Sequence, residues 1–68
     1  MEPLNLNLDG LALEELVDTA AALSTLAAYA RTKARAMQDR ASGEIDAALV
    51  QEEQCDRYYH TLPAWARW

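Results

Sequence analysis

Between residues 13 and 41 the apolar positions Leu13, Leu16, Ala20, Leu23, Ala27, Ala30, Ala34, Met37 and Ala41 are spaced alternately three and four apart, without a break. An apolar stripe of that period, held over four heptads, is the pattern of a helix that packs lengthwise on another helix. Neither glycine nor proline interrupts residues 12–41, and the alanine, leucine, glutamate and arginine that dominate there are strong helix formers. Glu14, Glu15 and Asp18 near the start, with Lys33, Arg35 and Arg40 toward the end, complement the helix dipole. One long helix over 12–41 is expected. After Leu13, alternate positions of its stripe hold only alanine, which lets two helix backbones approach closely.

Ser42-Gly43 ends that helix, glycine being suited to the left-handed position just past a helix C-terminus. A second helix is expected over 44–62, stopped by Pro63 because the residue before a proline avoids the helical region. Its stripe, Ile45, Ala48, Leu49, Glu52, Cys55, Tyr59 and Leu62, repeats the period of the first. The two stripes are expected to face each other in an antiparallel hairpin, since so short a turn leaves the helices adjacent. Residues 1–10, where Leu4, Leu6 and Leu8 alternate with Asn5 and Asn7, read as an extended arm closed by Asp9-Gly10. Residues 63–68 read as an aromatic tail able to form one helical turn, with Pro63 at its first position.

The helix lengths do not match. At 1.5 Å per residue the first would reach ~45 Å and the second ~28 Å. The start of the first helix therefore has no hairpin partner. The arm and tail folding back, together with a second chain, are expected to cover it.

Composition points the same way. The chain has 68 residues, one cysteine and a formal charge of −5. At that length a single core rarely supplies more than ~3–5 kcal/mol. A lone cysteine also forbids an internal disulfide. With 51% hydrophobic residues the composition is globular, so association is the natural source of further stability. Excess acidity disfavours phosphate backbones and anionic membranes. No apolar run approaches the ~20 residues that span a bilayer, and no basic signal-peptide start is present. A cytoplasmic setting is expected.

Four constellations bear on function. The basic run Arg31, Lys33, Arg35 and Arg40 either forms a nucleic-acid stripe or pairs with Glu44, Asp46, Glu52 and Glu53 across the turn; the pairing is expected. Glu53, Asp56 and His60, spaced three and four apart, share a helical face with Glu52 nearby. Carboxylates and an imidazole so placed could hold iron or zinc, especially if duplicated across subunits. The bland alternative sends Glu52 to Arg35 or Lys33. Tyr58, Tyr59, His60, Trp65 and Trp68 gather every aromatic side chain except Tyr29 into the last eleven residues, beside Arg57 and Arg67. Tyrosine, tryptophan and arginine are typical of interaction hot spots, so Tyr58, Tyr59, Trp65, Arg67 and Trp68 are candidates for self-association or partner contact. Cys55 reads as a small core residue. His60, five residues on, points elsewhere and supports no nucleophilic pair.

Gly43-Glu44-Ile45-Asp46-Ala47-Ala48-Leu49, followed by Tyr58 and Pro63, resembles the second half of a tetratricopeptide repeat. That resemblance implies a helical hairpin. In size and alanine seam the chain is also similar to Rop-type RNA-binding hairpin dimers, which implies a dimeric four-helix bundle. The fold expected is all-α, one hairpin domain over 1–68 forming a dimeric four-helix bundle or higher oligomer. The function expected is a non-enzymatic adaptor, free of cofactors, that binds itself and another protein. The alternatives are the carboxylate–histidine metal bundle and a Rop-like nucleic-acid binder.

Overall fold

The computed structural model describes residues 8–68 and is a two-helix antiparallel hairpin. Helix α1 spans Leu13–Ala41 and helix α2 spans Ile45–Thr61, each within one residue of its expected bounds at either end. A single 3-10 turn, Leu8–Gly10, precedes α1, and a second, Ala64–Ala66, follows Pro63. Of the expected extended arm, residues 1–7 lie outside the described residues. Leu8–Gly10 is a turn instead, closed by the Leu11 amide on the Leu8 carbonyl at 3.4 Å. Proline sits just before the second turn and not at its first position.

Local chemistry explains the helix ends. At the start of α1 the Ala12 amide donates to Glu15 Oε1 at 3.2 Å, half of a capping box. At its end Gly43 adopts φ +83°, the left-handed conformation that glycine reaches without strain. The Glu44 amide then reaches back to the Asp39 carbonyl at 2.8 Å and the Gly43 amide to Arg40 at 3.2 Å. Those two bonds form a Schellman motif and satisfy carbonyls the helix would leave bare. They also bring α2 directly alongside α1.

The seam between the helices is one residue out of step with the expected stripe. Thr19, Ala22 and Ala36 are buried on α1, with Leu26, Tyr29 and Thr32 partly so. On α2, Ala48, Cys55 and Leu62 are buried and Glu52 and Tyr59 half-buried, whereas Ile45 and Leu49 are exposed. Leu16, Ala20, Ala27, Ala30, Ala34 and Met37 are exposed, and Leu23 is intermediate. The expectation that both stripes face each other is thus corrected for α1. One residue is ~100° around a helix, so the Leu13–Ala41 stripe lies beside the seam. Contacts distant in sequence lie along the other face: the Arg40–Glu52 ion pair and the Tyr29–Trp68 edge-to-face pair.

The core is built from small side chains. Among the described residues Ala22, Ala36, Ala48, Cys55, Leu62 and Ala66 make it up, and Leu62, 2% exposed, is the one large side chain of that set. At 29 and 17 residues, α1 reaches ~43 Å and α2 ~25 Å. The first turns of α1 project past α2, with Leu13 77% exposed.

Candidate interaction site

Two features of the surface carry chemistry: the aromatic cluster after α2 and the flanks of the seam. Pro63 ends α2 and swings the following residues back along the hairpin. Arg67 secures the return. Its Nε donates to the Leu62 carbonyl and its guanidinium to the His60 carbonyl, both at 2.9 Å. A cation on the last carbonyls of a helix also opposes the negative end of its dipole. The Trp68 ring meets Tyr29 edge-to-face at 4.7 Å between centroids and Tyr59 at 4.9 Å. The Tyr59 hydroxyl donates to the Trp68 carbonyl at 2.7 Å, and the Arg67 guanidinium lies 5.8 Å from the Tyr59 ring. Edge-to-face pairs at such distances add ~0.5–1.5 kcal/mol beyond the area they bury.

This cluster ties the return segment to both helices, yet Trp65 and Trp68 are still exposed. Tyr58 and Tyr59 are half-buried, and Arg67 is exposed but fully engaged. Sequence reasoning did not place Tyr29 here. Tyr29 lies off the Leu13–Ala41 stripe, and its role depends on Trp68, 39 positions away.

Two polar pairs bridge the helices near the turn. Asp39 Oδ2 accepts from Gln51 Nε2 at 2.6 Å. Arg40 holds Glu52 through both carboxylate oxygens at 2.6 and 3.0 Å. Arg40 is thus the partner of Glu52, not Arg35 or Lys33, because the tight turn sets Arg40 next to the second turn of α2. Arg57 bonds Glu53 at 3.0 Å within the helix. Both pairs are solvated and each contributes ~0–1 kcal/mol. Arg31, Lys33 and Arg35 are exposed and form no ion pair among the described residues.

The metal constellation is not drawn together within one chain. Glu52 turns to Arg40 and Glu53 to Arg57, while His60 Nδ1 lies 2.7 Å from the Asp56 carbonyl. Among the described residues no group of three or more His, Cys, Asp or Glu side chains is disposed to hold a metal ion.

Cys55 is buried, and its thiol donates to the Tyr29 carbonyl at 3.8 Å. Burial pushes the thiol above its ordinary value of 9.0; Lys33 opposes the shift, and Asp56 and Glu52 add to it. A raised thiol is a poor nucleophile at neutral pH. Ellman's reagent at pH 8 is expected to label Cys55 much more slowly in the folded protein than in urea. The linked stability is full below the unfolded value near 9 and is lost as pH rises through the higher folded value. Equal labelling in both states would show the site to be open.

Among the described residues no helix is long and apolar enough to cross a membrane. No family model matches the chain, and no curated protein or solved structure is significantly similar to it. What the geometry defines is a class, the antiparallel helical hairpin with a small-residue seam.

Proposed function

We propose that this chain is a non-enzymatic interaction protein that self-associates, leaving the exposed edges of Trp65 and Trp68 for a second protein. One observation carries the reading: alanine is inside and the large apolar residues are outside. The core is mostly alanine, whereas Leu13, Leu16, Val17, Met37, Ile45 and Leu49 are exposed. Isolated exposed leucines are ordinary, but a contiguous apolar face is typical of an interaction surface. Glu52 and Arg40, the ionised groups flanking the seam, neutralise each other, so the hairpin needs no ligand to settle them. A buried lone thiol suits a reducing compartment such as the cytoplasm.

Absolute mass by light scattering on a sizing column tests the proposal. The wild type is expected to elute as an oligomer. Trp65→Ala combined with Trp68→Ala is expected to leave it assembled, because the Trp68 ring is engaged with Tyr29 and Tyr59 of its own chain. Dissociation of that variant would move the interface to the aromatic cluster. A folded wild-type monomer would refute self-association.

A further inference from the structure

We draw no further inference here: the strongest candidate, the apolar stripe of α1 beside the seam, where Leu13, Leu16 and Met37 are exposed, is an unpartnered helix face, and nothing in the structure shows what covers it.

Discussion

Replacing Leu62 by alanine is expected to destabilise the hairpin by ~2–5 kcal/mol, which approaches the ~3–5 kcal/mol that one core supplies at this length. Leu62 is 2% exposed, and the other members of the core are alanines and a cysteine. Leu62 also sits at the joint where α2 ends and the chain turns back, and its own carbonyl receives Arg67. Its loss would loosen the return segment and with it the Trp68 contacts. Urea unfolding followed by far-ultraviolet circular dichroism and tryptophan fluorescence measures this. A cost under ~1 kcal/mol, the level of a change away from the core, would place the stabilising core at an interface between chains.

Ala48→Leu is expected to be the next most damaging change, and for the opposite reason. Ala48 is 0% exposed and Ala36 1%, and the register set by the Cys55 contact with Tyr29 puts the two opposite each other. Three added carbons would have to enter a seam where the backbones are held together by alanine. Overpacking of this kind costs ~1–3 kcal/mol, and in a chain of this size each kcal/mol lowers Tm by ~4–8 °C. The same substitution at Ala21, which is exposed, is expected to stay within ~0.5 kcal/mol. Comparable melting of the two variants would mean that the helices are not closely packed at Ala48. The pair separates a defect of packing from a change in helix propensity, since both sites gain leucine in a helix interior.

The helices and their ends were legible because their causes are local. A run without glycine or proline makes α1, Gly43 supplies the one left-handed residue, and Pro63 forbids α2 from continuing. Each acts within a few residues, and the structure places α1 and α2 within a residue of the expected bounds. The length mismatch was legible for the same reason, since rise per residue does not depend on context. On α2, Ala48, Cys55 and Leu62 lie on the expected stripe and are buried.

Which face of α1 turns inward was not legible. Alanines occur on most sides of α1, at positions 20, 21, 22, 27, 28, 30, 34 and 36 among others, so hydropathy barely separates one stripe from the next. Periodicity alone puts the most continuous apolar stripe in the hairpin seam. The structure gives the seam to the adjacent line that includes Thr19, Tyr29 and Arg40, which reads as the poorer stripe. Tyr29 becomes favourable only when Trp68 is against it, and Arg40 only when Glu52 is. Those partners are separated by 39 and 12 positions of chain, and nothing in a helical period encodes them. The start, the end and the amphipathic period of each helix therefore belonged to the sequence. The choice between two neighbouring faces of α1 was left to tertiary contacts, because faces of nearly equal apolarity are distinguished only by what packs against them.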